Sequence, residues 1–168
     1  MRTRVYLDFD GVINVFRMPK SPPWKESTGW EKHRKDRLIS DYQKYVIHYA
    51  PELVEEINKL DDEGVEVIWC STWLADTKLF TKLGFKVFPY LDFVPGYRQR
   101  FWETKGRAVR EHMRQHPVDQ ACWYDDDLDT ISIAAFDLDN LYTEHVDKLT
   151  GLTPEHIARL RTKLGLGA

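Results

Sequence analysis

Cysteine is scarce in this chain of 168 residues, which has only Cys70 and Cys122. Two cysteines are too few for a disulfide framework, and since each lies in an apolar run, we expect both to be buried free thiols. No apolar run approaches the length of about 18 residues that a membrane span needs, and residues 1–4 lead into a strand-like segment with no signal-peptide cleavage pattern. We therefore expect a soluble, cytoplasmic protein.

Glycine and proline are also sparse, with nine and eight residues and no periodic repeat, which excludes a collagen-like chain. The six Trp, eight Tyr and eight Phe supply ample apolar surface, so an intrinsically disordered chain is excluded as well. A mass of 19.9 kDa is typical of one globular domain that buries a core without disulfides or a structural metal. We expect residues 1–168 to form a single domain.

The formal net charge of −3 is unevenly distributed along the chain. Residues 17–37 contain seven Lys and Arg against three acids, and residues 97–114 contain six against two, so each segment has a net charge of +4. The rest of the chain then carries −11. This asymmetry favours an anionic partner on one face, with a solvated charged surface as the alternative.

Short apolar runs rich in β-branched and aromatic residues alternate with segments of helical period. The predicted strands cover residues 4–9, 65–70, 85–90, 121–124 and about 138–142. The predicted helices cover residues 51–62, 75–83 and 105–116, with a weak helix after residue 129 and a last helix that opens at Thr153-Pro154-Glu155. This alternation predicts an α/β fold, a three-layer αβα Rossmann-like parallel sheet with helices on both faces.

Residues 17–45 interrupt the alternation. This segment is rich in Pro, Lys, Trp and Arg, and it separates the first strand from the first helix. A long connection without secondary structure is uncommon in a compact domain and is often functional. We expect a small lid or cap-like insertion over the active end of the sheet.

Polar side chains lie at the ends of the first two predicted strands. Asp8 and Asp10 come directly after the first strand and before Gly11, at the carboxyl end where open α/β sheets bind ligands. The strand at residues 65–70 is followed by two hydroxyls, Ser71 and Thr72. Either hydroxyl can hydrogen-bond the oxygens of an anion, and the length of the preceding run favours Ser71.

A cation and more acids come later in the chain. Thr104-Lys105-Gly106 is predicted to open a helix, so that Lys105 and the helix amino terminus point at the same anion. The strand at residues 121–124 is followed by Asp125 and Asp126. Carboxylates from two strand ends suit a hard, oxygen-seeking ion, and Mg²⁺ is bound by a few carboxylates, waters and substrate phosphate. Asp127 or Asp129 is an alternative that can share the metal with this pair.

Taken together, these features resemble the haloacid dehalogenase (HAD) superfamily of phosphotransferases. The DxDG motif, the hydroxyl after a second strand, the lysine and the paired aspartates occur in that family's order and at compatible spacing. Within the superfamily the chain is most similar to the HAD domain of Swiss Army Knife RNA-repair proteins, through residues 7–14, 69–73, 123–126 and 151–156. The resemblance covers most of the chain but not residues 17–40, and it implies a HAD-type fold with phosphatase activity.

The resemblance also implies a role for each candidate side chain. Asp8 resembles the nucleophile that forms an aspartyl-phosphate, and Asp10 resembles the general acid and base that protonates the leaving oxygen and then activates water. Ser71 resembles the phosphate-binding hydroxyl, and Lys105 the cation that offsets charge on the nucleophile and the phosphoryl group. The predicted ligands of the magnesium ion are Asp8, Asp10, Asp125 and Asp126. A dehalogenase needs no magnesium-binding acids, so phosphate chemistry is favoured.

The basic segments and the family likeness indicate the substrate class. We expect a phosphorylated nucleic-acid end or a nucleotide, and no membrane partner. The residues expected to bind the substrate are Ser71, Thr72, Lys105, Lys32, Arg34 and Lys35. Two alternatives stay open: a phosphatase of small metabolites, whose basic loops merely bind phosphate, and a non-catalytic module that retains Mg²⁺ as an anchor.

Overall fold

The computed structural model describes residues 1–40, 43–93, 101–128 and 138–167, and for residues 101–103 the backbone alone. The elements of this part of the chain are β1 (Thr3–Leu7), α1 (Trp24–Thr28), β2 (Arg34–Ile39), β3 (Lys44–Tyr49), α2 (Pro51–Asp62), β4 (Val65–Trp69), a 3₁₀ helix (Leu74–Leu83), α3 (Phe101–Gln115), β5 (Gln120–Asp125), β6 (Leu141–His145) and α4 (Pro154–Lys163). None of these helices has the length and hydrophobicity that crossing a bilayer requires.

The main sheet has the strand order β4-β1-β5-β6, and its strands are parallel. The register aligns Leu7, at the end of β1, with Trp69 of β4 and with Tyr124 of β5. From β1 the chain reaches β4 on one side and then crosses to β5 on the other, so the strand order reverses at β1. Ligands of open α/β sheets bind at the carboxyl ends of strands beside such a reversal.

Successive side chains of β1 point to opposite faces of the sheet, and helices cover both faces. Val5 and Leu7 belong to a core that includes the buried residues of α2 and α4. Tyr6 packs on the other face with Val109 and Met113 of α3. The predicted three-layer αβα architecture with a Rossmann-like parallel sheet is confirmed, and both cysteines are buried free thiols as predicted.

The local sequence explains where the helices of the first face begin. α2 has Pro51 in its first turn, where the missing N–H removes no helical hydrogen bond. The apolar side chains that α2 buries are Leu53, Val54, Ile57 and Leu60. α4 begins after Thr153, which forms a capping box with His156: each side chain accepts a hydrogen bond from the backbone N–H of the other residue. These caps confirm the starts predicted for both helices.

Residues 17–45 contain secondary structure that the sequence pattern did not indicate. They include α1, all of β2 and the start of β3, and the antiparallel β2–β3 hairpin continues to Tyr49. Leu38 and Ile47 of the hairpin are buried in the core, and Trp30 donates its indole N–H to the Leu152 carbonyl at 2.7 Å. The inserted segment is therefore packed onto the α/β core. Its role as a lid stays a prediction.

The strand predicted at residues 85–90 was wrong. Within the described ranges, the segment forms a single bridge, between Trp69 and Tyr90, and no ladder. Phe85 and Phe88 are buried three positions apart, which is incompatible with the two-residue alternation of a strand, and Pro89 has no N–H to donate.

Two other predicted elements differ from the structure in type or position, and a third lies outside the described residues. The helix predicted at residues 75–83 is a 3₁₀ helix, whose buried residues Thr77, Phe80 and Leu83 recur every third position, the period of that helix. The strand predicted at about 138–142 lies instead at Leu141–His145, a half-exposed strand whose polar end gave no apolar signal. The weak helix predicted after residue 129 falls outside the described residues.

Candidate active site

Asp8 is the first residue after β1. Its backbone N–H still donates to the Tyr124 carbonyl at 3.1 Å, so the pairing with β5 fixes its position. Its Oδ1 accepts the Phe9 backbone N–H at 2.6 Å, and its Oδ2 accepts a hydrogen bond from Lys105 Nζ at 2.6 Å. The side chain is only 7% exposed. Asp8 is therefore a buried carboxylate with a fixed orientation and a cation beside it.

Lys105 extends from the second turn of α3 and bridges two carboxylates. Its Nζ donates to Asp8 and, at 2.9 Å, to Asp125 Oδ2. Burial alone would lower the pKa of Lys105, but the charges of Asp8 and Asp125 outweigh it and raise the pKa, so the lysine stays charged. The predicted helix start at Thr104 was wrong, because α3 already begins at Phe101. Lys105 contributes through its side chain and not from a helix terminus.

Asp125 and Asp126, at the end of β5, complete an acidic triad with Asp8. One carboxylate oxygen from each residue lies within 4.8 Å of the others. Burial and then the charge of Asp8 raise the pKa of Asp125, and burial, Asp8 and Asp127 raise the pKa of Asp126 to about 6. Three carboxylates thus lie around one lysine, which donates hydrogen bonds to two of them. A small group of carboxylate oxygens with excess negative charge fits Mg²⁺.

Gly11 allows the loop after β1 to approach the triad. Its φ is +74°, in the left-handed region, and a Cβ at this position would lie 2.4 Å from Cγ of Asp126. Glycine tolerates this φ and leaves the space that the Asp126 side chain occupies. The glycine of the DxDG motif therefore has a packing role at the site.

Asp10 lies beside the triad but is not part of it. Its Oδ1 accepts a hydrogen bond from Asn14 Nδ2 at 2.7 Å, and its Oδ2 accepts one from Trp73 Nε1 at 2.8 Å. Burial raises the pKa of Asp10, although both hydrogen bonds oppose the shift. A carboxyl group with a fixed orientation and a raised pKa is suited to proton transfer. Its assignment as a magnesium ligand stays a prediction.

Asn14 and Trp73 were not assigned roles from the sequence, although both lie in the stretches that carry the family resemblance. Asn14 also accepts the backbone N–H of His48 at 2.9 Å. The Trp73 ring lies 4.3 Å, centre to centre, from the ring of Tyr45. Both residues therefore join Asp10 to the β2–β3 hairpin.

The two candidate hydroxyls after β4 differ in their surroundings. Ser71 is 1% exposed, and its Oγ has no hydrogen-bond partner among the residues that the structure describes. Thr72 is exposed. A buried hydroxyl without a partner is costly unless a ligand completes it, so the structure favours Ser71 as the phosphate-binding group.

The predicted substrate-binding cations on the hairpin lie in different environments. Lys32, Arg34 and Lys35 are all exposed. Arg34 is hydrogen-bonded to Tyr49, whose hydroxyl also donates to Asp36 at 2.7 Å, so this guanidinium is engaged within the hairpin. Lys35 lies opposite His48 in the hairpin register.

The two alternative metal ligands, Asp127 and Asp129, follow the acidic pair at the end of β5. Asp127 is exposed, and its backbone N–H donates to Asp125 Oδ1 at 3.0 Å. Asp129, the other alternative metal ligand, lies outside the described residues. The start of the basic segment at residues 97–114 lies outside them too, whereas the rest of that segment belongs to α3.

A family model described as the HAD domain in Swiss Army Knife RNA repair proteins matches residues 4–157, which include every site residue above. A solved structure from Vibrio cholerae, assigned as a 3-deoxy-D-manno-octulosonate 8-phosphate phosphatase, is 10% identical, with 99% of this chain and 87% of that chain covered and a TM-score of 0.47. No curated protein matches the sequence.

Proposed function

This chain belongs to the family of HAD domains found in Swiss Army Knife RNA repair proteins and is a HAD-type phosphoric monoester hydrolase, and we propose that it removes the phosphate from a nucleic-acid end or a nucleotide through a phosphorylated aspartate. The observation that carries the proposal is the position of Asp8. It lies at the carboxyl end of β1, bonded to Lys105 and within the acidic triad. A buried carboxylate with compensated charge is suited to nucleophilic attack on a phosphate.

In the first step, a carboxylate oxygen of Asp8 attacks the phosphorus atom, and the bond from phosphorus to the leaving oxygen breaks. Asp10, in its protonated form, gives its proton to that oxygen, and its raised pKa favours this form. Lys105 offsets the charge that builds up on the phosphoryl oxygens, and the Ser71 hydroxyl donates to one of them.

In the second step, Asp10 has become a carboxylate and takes a proton from water. The oxygen of that water attacks the phosphorus atom, and the bond between phosphorus and Asp8 breaks. Inorganic phosphate leaves, and both aspartates return to their starting protonation states. Asn14 and Trp73 keep the Asp10 carboxyl group in one orientation throughout.

The acidic triad would hold a magnesium ion. When bound, Mg²⁺ offsets the negative charge that a phosphate and three carboxylates bring together. Asp8, Asp125 and Asp126 are the residues in position to hold it.

The nucleic-acid part of the proposal rests on the family's description and on charge. The matching family comes from RNA repair proteins. Residues 17–37 of the inserted segment have a net charge of +4. The β2–β3 hairpin contacts the Asp10 side of the site, because the Tyr45 ring packs against Trp73. A polyanionic substrate gains affinity from such a surface, whereas a small metabolite contacts few of its charges.

The test is phosphate release from an aryl phosphate, a sugar phosphate, a mononucleotide and phosphorylated oligonucleotides, with Mg²⁺ or with excess chelator. We expect turnover only with Mg²⁺, and the highest kcat/KM for the oligonucleotides at low ionic strength. Asp8→Asn should abolish turnover, and the exposed Asp92→Asn is the matched control. Undiminished hydrolysis by Asp8→Asn would overturn the mechanism, and equal kcat/KM for oligonucleotide and sugar phosphate would favour the metabolite phosphatase.

A further inference from the structure

A groove of about 300 Å³ runs between the segment after the DxDG loop and the outer face of β3. The residues that line it are Asn14, Val15, Phe16, Arg17, Val46 and His48. A backbone hydrogen bond from the Val15 N–H to the His48 carbonyl, at 2.8 Å, holds the segment against the strand. A backbone hydrogen bond therefore joins the two walls of the groove.

The groove begins next to the proton-transfer group of the active site. Asn14 is one of its lining residues, and the same side chain donates to Asp10 at 2.7 Å and accepts the His48 N–H at 2.9 Å. Asp10 is the group that protonates the leaving oxygen in the proposed mechanism. The part of a substrate that follows the leaving oxygen would therefore enter this groove.

Arg17 supplies a fixed positive charge to the groove. Its guanidinium donates to the Ser27 hydroxyl at 3.0 Å and to the Pro22 carbonyl at 2.7 Å, and it lies over the Trp24 ring at 5.7 Å. Both acceptors are uncharged. Among the described residues Arg17 forms no ion pair, so its charge is available to an anion.

The row of stacked rings continues from Trp24 to the groove wall. Trp24 stacks on His33 at 4.2 Å between ring centres, and His33 Nε2 lies 3.0 Å from His48 Nδ1. Burial lowers the pKa of His33, as do the charges of Arg17 and Lys35, and burial lowers the pKa of His48, as do the charges of His33, Lys35 and Arg17. The positive charges of Arg17 and Lys35 are therefore both close to the two histidines.

The outer face of the hairpin extends this surface. In the β2–β3 register, Lys35 lies opposite His48 and Arg37 lies opposite Val46. Lys35, Arg37 and Val46 are exposed, and Phe16 is 37% exposed at the groove itself. Apolar side chains next to cations suit a ligand that combines a flat ring or sugar with a phosphate.

We propose that this groove binds a second phosphate group of the substrate, one nucleotide away from the phosphate that is hydrolysed, with Arg17 and Lys35 as its cationic ligands and His48 as a hydrogen-bonding wall. The inference rests on the proposed function and makes it more specific. It assigns the site to a phosphodiester-linked nucleotide and therefore to nucleic-acid ends in preference to mononucleotides.

The test compares three kinds of thymidine ligand on the wild-type protein with Mg²⁺ at low salt: a mononucleotide, a dinucleotide with a terminal phosphate, and the same dinucleotide with an uncharged methylphosphonate linkage. Each is made with the terminal phosphate at the 3′ or the 5′ end. We expect the charged dinucleotide to have about tenfold higher kcat/KM than the mononucleotide for one of the two ends. The methylphosphonate linkage should remove that preference, because it keeps the size and removes the charge.

Two variants locate the effect. The preference for the charged dinucleotide should fall about threefold in Lys35→Gln and disappear in Arg17→Gln/Lys35→Gln. A charge-matched control is Lys59→Gln/Arg114→Gln, at the ends of α2 and α3 that face away from the carboxyl end of the sheet, and it should keep the wild-type preference. Arg17 also forms hydrogen bonds to Ser27 and Pro22, so its replacement can disturb the local fold. The variant Lys35→Gln and the comparison of ligands on the wild type test the groove assignment independently of any Arg17 variant.

Binding separates this inference from the proposed function. Titration of the same ligands into Asp8→Asn reports the second phosphate even if no compound is hydrolysed. Equal affinity for the phosphodiester and methylphosphonate dinucleotides at both ends would overturn the groove assignment, whatever the turnover. Tighter binding of the charged dinucleotide, with no hydrolysis of any ligand by the wild type, would support the second-phosphate site and overturn the proposed hydrolysis.

Discussion

Replacement of Lys105 by methionine is expected to destabilise the metal-free protein strongly. Lys105 is 2% exposed, and its two partners, Asp8 and Asp125, are 7% and 0% exposed. Removing the cation leaves both carboxylates buried without their counter-charge, and breaking a buried pair from one side costs about 3–5 kcal/mol. Methionine keeps most of the side-chain volume, so the loss reports charge and not a cavity. Urea denaturation with chelator measures the free energy of unfolding.

The chain contains a matched control in Lys86. This lysine also pairs with two aspartates, Asp61 at 2.9 Å and Asp62 at 2.5 Å, but it is 38% exposed. Exposed pairs are solvated and contribute little, so Lys86→Met should lose far less stability than Lys105→Met.

Two additions make the Lys105 test more specific. The double variant Lys105→Met/Asp125→Asn should regain part of the lost stability, because it removes one uncompensated charge. Mg²⁺ should stabilise Lys105→Met more than the wild type, because a cation then meets less positive charge at the triad. Equal losses for Lys105→Met and Lys86→Met would refute the view that a buried lysine neutralises the site.

Three further results are expected. Ser71→Ala should raise KM about tenfold for an aryl phosphate, with stability within about 1 kcal/mol of the wild type because Oγ has no hydrogen-bond partner in the described part of the chain, and Thr72→Ala should change neither. Gly11→Ala should cost about 2 kcal/mol in urea denaturation and weaken Mg²⁺ binding in titration calorimetry, since the new Cβ overlaps the triad at a positive φ. Burial alone would raise the pKa of Glu144, but the hydrogen bonds from Arg159 and Tyr142 and the charges of His156 and Arg159 together outweigh it, and the pKa is lowered. The stabilising effect of the Glu144 carboxylate is complete above the unfolded pKa of about 4.3 and disappears as the pH falls. Between about pH 5 and about pH 3, Glu144→Gln should therefore lose less free energy of unfolding than the wild type. The same slope of unfolding free energy against pH in both proteins would contradict this.

The central site could be predicted from sequence because each of its parts follows a buried strand. Asp8 and Asp125 come at the ends of apolar runs that had to be interior strands, and parallel strands bring their carboxyl ends to one edge. Lys105 was predicted as the cation although its helix begins four residues earlier, since its side chain and not the helix end makes the contact.

The surroundings of Asp10 could not be predicted in the same way. The bonds from Asn14 and Trp73 depend on how the β2–β3 hairpin packs beside the DxDG loop. That hairpin was missed because Arg34, Lys35 and Arg37 give β2 a charged, exposed pattern with one buried residue, Leu38. A strand of this kind is recognisable only from its partner, which is non-local information.

The false strand at residues 85–90 shows the converse error. The composition of the segment is that of a strand, but its described hydrogen bond to β4 lies at its end, where the Pro89 carbonyl accepts the Trp69 N–H at 2.9 Å. Asn58 of α2 accepts the Lys86 N–H at 3.0 Å and donates to the Gly84 carbonyl at 2.8 Å. At the start of the segment, a side chain from a neighbouring helix thus takes the place of a strand partner, which no propensity reveals.

The most direct test of the account is whether a phosphoryl group is transferred to Asp8. The Asp10→Asn variant is mixed with an aryl phosphate and Mg²⁺, quenched in acid within the first turnovers, digested and analysed by mass spectrometry. We expect the peptide that contains Asp8 to carry one phosphoryl group, because the variant retains the nucleophile but activates water poorly, and Asp8→Asn should give no modified peptide. Turnover by the wild-type protein with no phosphoryl group on Asp8 in either protein, or a phosphoryl group on another residue, would contradict the mechanism.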